Sequence, residues 1–159
     1  MNKRPHVKMT TNESGHAIIA FNDLEGPHGK LAADAVLRGL FANNAWYTTR
    51  SSRIIAPGTK ILFYKSRSGF CASAIVVSIA LDKTTRILGE QVFGAFACRL
   101  ELDGCRIFAA PVDVRTIVDA LDFVTNKKYW GQAFRTTPRQ ISERDFTLIT
   151  RKAETAKNA

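Results

Sequence analysis

Trp46 and Tyr47 stand side by side in the stretch Asn44-Ala45-Trp46-Tyr47-Thr48-Thr49-Arg50. Two rings so placed admit two uses. Both can fill a core, since large aromatics dominate burial in most domains, or one can border a hollow and stack on a flat ligand. Covalent chemistry finds less support. His6, His16 and His28 show no HExxH or paired spacing, and Cys71, Cys98 and Cys105 form no CxxC pair. Cys71 and Cys98 sit in apolar runs and read as small buried hydrophobes, whereas Cys105 beside Gly104 reads as a turn residue. Ser68 in Ser66-Arg67-Ser68-Gly69 is not a GxSxG elbow. Gly26-Pro27-His28-Gly29-Lys30-Leu31 lacks the spacing and the hydroxyl residue of a phosphate loop. No nucleophile, base and oxyanion site assembles, and no metal or cofactor is expected.

The charge pattern points to polyanions. The chain of 159 residues carries a formal charge of +9. Between Asp34 and Asp82 no acidic residue occurs, while Arg38, Arg50, Arg53, Lys60, Lys65 and Arg67 all fall there. A second basic group runs through Lys127, Lys128, Arg135, Arg139, Arg144, Arg151 and Lys152, diluted by Glu143 and Asp145. One-signed surfaces of this kind attract nucleic acid, although a solvated basic face has the same composition. The length suits one domain, and 45% apolar residues without a long apolar run suit a globular chain with no membrane span. Residues 1–15 are expected to form a flexible basic leader without a signal-peptide core, which implies a cytoplasmic protein.

The elements that must position Trp46 alternate between helix and hairpin. Residues 17–21, Ala-Ile-Ile-Ala-Phe, read as a buried strand followed by a polar turn. Leu31, Ala35, Val36, Leu40 and Phe41 share one helical face, and Asn43-Asn44 is a natural stop. Pro57-Gly58 leads into a strand at 62–65, and the tight loop 66–69 joins it to a second apolar strand in a hairpin. Asp103-Gly104 between two further apolar runs predicts another hairpin. Asp113 is placed to cap a short helix through Leu121, and Ser142 with Asp145 resembles a capping box for a last helix. Hairpins in place of βαβ repeats predict an α+β fold, a barrel-like sheet with helices at its ends.

Three stretches carry a family resemblance. The segment 121–135 (LDFVTNKKYWGQAFR), followed by the segment 138–149 (PRQISERDFTLI), resembles the closing signature of EVE domains. The middle segment 56–78 (APGTKILFYKSRSGFCASAIVVS) is similar to that family's Pro-Gly turn, strand, glycine loop and strand. The front, residues 17–23 with a helix and then Asn44 to Thr49, resembles both EVE and the related YTH domains. Thr59 replaces the family's Asp after Pro-Gly, and Ala72 and Ser73 stand where glycines are frequent. The resemblance spans roughly residues 16 to 151, leaving 152–159 as a tail.

EVE and YTH domains belong to the PUA-like superfamily, so the resemblance implies a curved sheet or pseudo-barrel of about five to six strands with flanking helices. It also implies a non-enzymatic nucleic-acid-binding module that takes a modified base of RNA or DNA, with methylation the expected modification, into an aromatic pocket. In that pocket Trp46 falls at a cage position, with Tyr47 and Thr48 beside it. Asn22 and Asp23 fall where polar groups address the base edge, Asp23 having a turn or helix-entry residue as its plainer role. Trp130 either lines the pocket or packs the closing segment, Phe70 reads as core, and Phe134 fits either use. Arg50, Arg53, Lys65, Arg67, Lys127 and Lys128 would grip phosphates. The alternatives are an RNA-processing or nucleotide-acting enzyme on a related ASCH-like scaffold, with Asp23 as its one candidate carboxylate, and a regulatory module for a protein partner.

Overall fold

The computed structural model describes residues 15–26, 29–49, 53–86 and 92–157. Arg50 and residues 1–14 of the expected leader lie outside them. The chain runs through β1 (His16–Phe21), β2 (Leu24–Gly26), β3 (Gly29–Leu31), α1 (Ala33–Ala42), β4 (Ala45–Thr48) and β5 (Lys60–Lys65). It continues through β6 (Gly69–Arg86), β7 (Val92–Val112), β8 (Arg139–Ile141) and α2 (Glu143–Lys157), with one-turn 3-10 helices at Val114–Thr116 and Val118–Ala120 and a longer one at Trp130–Phe134. Six strands form one sheet in the order β4-β7-β6-β5-β1-β8, and β2 pairs with β3 in a small hairpin. Among the described residues only β1 and β5 pair in parallel; the other ladders are antiparallel. This is the expected α+β class of architecture, a six-stranded mixed sheet with flanking helices.

The sheet is covered on both faces, which explains why its central strands read as unbroken apolar runs rather than alternating ones. On one face Ala17, Ile19, Phe21, Ile61 and Phe63 pack with Val36, Leu37, Leu40 and Phe41 of α1 and with Trp46. On the other, Ile18, Leu62, Tyr64 and Phe70 pack with the 3-10 segments, Phe134 and Ile149 of α2. Successive residues of β1 and β5 therefore enter different cores, as the pleat requires. Phe70 is fully buried, and Phe134 stacks on Tyr64 with centroids 4.0 Å apart. Cys71 and Cys98 are buried, and burial pushes the Cys71 thiol up to about 11, which makes it a poor nucleophile.

Several expectations need correction. Asp103-Gly104 makes no hairpin: β7 runs through it unbroken to Val112. Ile75 pairs with Asp103 and Ser73 with Arg106, so two residues of β7 oppose the single Ala74. Gly104, at φ +59°, supplies the left-handed residue of a β-bulge, the same conformation that a tight turn would need. Cys105 accordingly lies in a strand. Leu31 belongs to β3 rather than to the helix, and Leu37 joins the buried face of α1. Part of the supposed tail is helical, since α2 reaches Lys157 and buries Ala153.

Asp113 does cap the first 3-10 turn, accepting from the Arg115 N–H at 2.9 Å. Ser142 Oγ likewise accepts from the Asp145 N–H at 3.1 Å, but Asp145 does not complete the reciprocal box. Its carboxylate instead accepts from the backbone N–H groups of Asp122 and Phe123, each at 3.0 Å, and it is wholly buried. The aspartate of the closing signature thus clasps the segment after the 3-10 helices onto α2. Asp145→Ala leaves two backbone donors without an acceptor and is expected to cost about 2 to 3 kcal/mol, read as a lower denaturant midpoint at unchanged slope.

Candidate functional site

A cavity of about 370 Å³ opens on the α1 face of the sheet, at the C-terminal ends of β1 and β4. Its floor comes from the core: Trp46 is 4% exposed yet borders the void. Three phenyl rings hold that indole. Phe21 and Phe41 meet it edge-on at 5.4 and 6.3 Å, and Phe63 lies tilted at 4.6 Å. Trp46 therefore combines the two uses that its sequence context left open, core packing and cavity lining.

Tyr47 and Phe96 make a wall, with ring centroids 6.0 Å apart. Tyr47 pairs with Arg99 across the β4 and β7 ladder, and Arg99 Nη1 donates to the Tyr47 hydroxyl at 2.9 Å. Arg99 Nε also donates to Glu101 at 2.6 Å, so the phenol is tethered to a fixed guanidinium. Asn22, Asp23, Thr48 and Thr137 form a polar rim, with Pro138 beside them. Thr137 Oγ1 accepts from the Ala20 N–H at 3.2 Å, which ties the segment before β8 to β1. Phe96 and the Thr137-Pro138 segment escaped the sequence reading because their approach depends on strand pairing across about 50 and 115 residues.

Asp23 has structural partners. Its Oδ1 accepts from the Ala33 N–H at 2.8 Å, and Lys30 Nζ lies 3.0 Å from Oδ2. The Ala33 hydrogen bond, with Lys30 behind it, holds the carboxyl below its ordinary pKa. α1 lacks a local side-chain cap at Ala32, and Asp23 satisfies its first N–H from ten residues away. The helix-entry role is thus present, and a carboxylate kept ionised in this way is poorly suited to donate a proton.

The expected phosphate-gripping residues divide. Lys65 and Arg67 line a groove that shares Asn22 and Asp23 with the cavity. Lys65 pairs with exposed Asp34 at 3.0 Å, while Arg67 occupies the hairpin turn at φ +68° and is exposed. Arg53 is exposed in the turn before β5. Lys127 does otherwise: its Nζ donates to the carbonyls of Val118 and Leu121 at 3.1 and 2.6 Å, closing the end of a 3-10 turn. Lys128 lies 5.2 Å over the Tyr129 ring, and Trp130 packs against Phe134 in the core of the other sheet face. Neither Trp130 nor the Lys127-Lys128 pair lines the Trp46 cavity.

Comparison with solved structures agrees with this architecture. The chain resembles the crystal structure of the YTH domain of Zygosaccharomyces rouxii MRB1 protein in complex with N6-methyladenosine RNA. That likeness has a TM-score of 0.50 at 17% identity, over 94% of this chain and 93% of the other. The NMR structure of Rpa0253 from Rhodopseudomonas palustris is similar at TM-score 0.50 and 14% identity, over 89% of this chain and 94% of that one. The fold is shared with a YTH domain. No family model and no curated protein match the chain. Among the described residues no cluster of three or more His, Cys, Asp or Glu could hold a metal ion, and no helix is long and apolar enough to cross a membrane.

Proposed function

We propose that the chain binds a single unstacked nucleobase carrying a modification, within RNA or DNA, in the Trp46 cavity. The observation that carries this reading is the composition of the cavity: an indole floor, a Tyr47 and Phe96 wall, and a rim of amide and hydroxyl groups. Its 370 Å³ lies at the small end of the range for ligand pockets, about 300 to 1,000 Å³, as a base rather than a longer ligand requires. Stacking on such rings is worth roughly 1 to 3 kcal/mol per base. An added methyl group gains apolar contact, and one such group discriminates by about 1 to 3 kcal/mol. Asn22 offers both donor and acceptor to the base edge, whereas Asp23 acts mainly by fixing the rim around α1.

The base must leave its stack to enter, so a single strand or a flipped nucleotide is the substrate form. Lys65 and Arg67 in the adjoining groove are suited to the phosphates next to it. A titration of short single strands containing either adenosine or N6-methyladenosine, at two salt concentrations, tests the reading. Tighter binding of the methylated strand by a factor that salt leaves unchanged supports it; equal affinity for a panel of modified and unmodified bases overturns it. Arg67→Ala is expected to weaken both strands alike and to reduce the slope of log affinity against log salt by about 0.7, the value per phosphate contact on a single strand. A changed preference for the modified base in that variant would move Arg67 from the backbone to the base.

A further inference from the structure

We infer a second ligand site, for a small oxyanion, in the cavity around Arg139 on the opposite face of the sheet. This cavity, about 210 Å³, is walled by the backbone turn from Phe123 to Asn126 and by Tyr129, Trp130, Gln132 and Arg139. It gathers residues of the Asn126-to-Trp130 motif that the base cavity does not use.

Arg139 is the one charged residue among the described residues of its lining. The guanidinium rests 5.7 Å over the Phe123 ring, and Nη2 donates to the Phe123 carbonyl at 3.1 Å. Nε is buried and has no acceptor among the described residues. No carboxylate pairs with Arg139 among the described residues. A guanidinium is always charged, and placing one in a partly closed site without a counter-charge is costly. An oxyanion in the cavity supplies the counter-charge that the guanidinium lacks there. Gln132 and Asn126 add neutral amides around the same space, and Lys128 lies 5.2 Å over the ring of Tyr129, one of the lining residues. The volume suits a carboxylate or a phosphate group rather than a whole nucleotide. The site stands independently of base binding, since Trp46 lines the other cavity.

The two tryptophans provide the test. In the full chain labelled with nitrogen-15, the indole N–H signals of Trp46 and Trp130 are followed during titration with sodium phosphate and, separately, sodium acetate. Sodium chloride holds the ionic strength constant, and Trp130→Phe assigns the two signals. A saturable shift of the Trp130 signal with Trp46 unmoved supports the site; phosphate alone producing it points to a phosphoryl source, and acetate alone to a carboxylate. Arg139→Gln should weaken that binding about tenfold or more, the loss expected for a charge-assisted hydrogen bond. No saturable shift of Trp130, parallel movement of both signals, or undiminished binding in folded Arg139→Gln overturns the proposal. Should that variant fail to fold, the wild-type titration alone still decides between these outcomes.

Discussion

Trp46→Ala is expected to lower folding stability by about 3 to 5 kcal/mol, the usual cost of removing a buried aromatic. The indole contacts Phe21, Phe41 and Phe63 at once, so its loss leaves a void joined to the existing cavity. Binding and folding would then fail together, and that variant alone separates nothing. Trp46→Phe is the informative companion. A phenyl ring keeps part of the packing and is expected to cost about 1 to 3 kcal/mol. It also shrinks the ring bordering the cavity, so affinity for the modified strand should fall about tenfold while the salt slope stays constant. Denaturant unfolding and oligonucleotide titration of the same preparation measure both quantities. Unchanged affinity in folded Trp46→Phe would remove this residue from the binding surface and leave it a core residue.

Gly69→Ala should be comparably damaging for a reason unrelated to any ligand. Gly69 opens β6 at φ +119°, a conformation that residues with a Cβ rarely adopt. A Cβ there would overlap the Val112 carbonyl oxygen and come within 2.8 Å of its carbon. Neither atom can withdraw, because Val112 is buried at the end of β7 and pairs with Phe70. Strain and overlap together are expected to cost about 3 to 5 kcal/mol, visible as a much lower melting temperature or as failure to fold. A change under about 1 kcal/mol would mean that the two strands separate there at little cost.

Local chemistry made much of this fold legible. Short apolar runs became β1 and β5, Asn43-Asn44 ended α1, and the loop at 66–68 closed the hairpin of β5 and β6. What failed was ambiguous at the level of single residues. Gly104 adopts the left-handed conformation that its sequence implied, but a bulge satisfies that requirement as well as a turn does. Lys127 looks like any surface cation until its two carbonyl acceptors are seen. The cavity was half legible. Asn22, Asp23, Trp46, Tyr47 and Thr48 came from neighbouring elements, whereas Phe96 required the pairing of β4 with β7. Of the two uses open to Trp130, it takes the second and packs against Phe134 on the other sheet face, which its place in an irregular segment, without strand alternation, did not reveal.

The parallel alignment of β1 with β5 brings the C-terminal ends of both strands to the same end of the sheet. One exit delivers Asn22 and Asp23, the other Ser66 to Ser68, and these meet along the groove beside the cavity. The molecule is thereby divided into a rigid frame and an aperture made of two short connections. Exchanging side chains in those connections, with the turn at Arg67 and the Asp23 cap of α1 kept in place, offers a way to retune which guest is admitted.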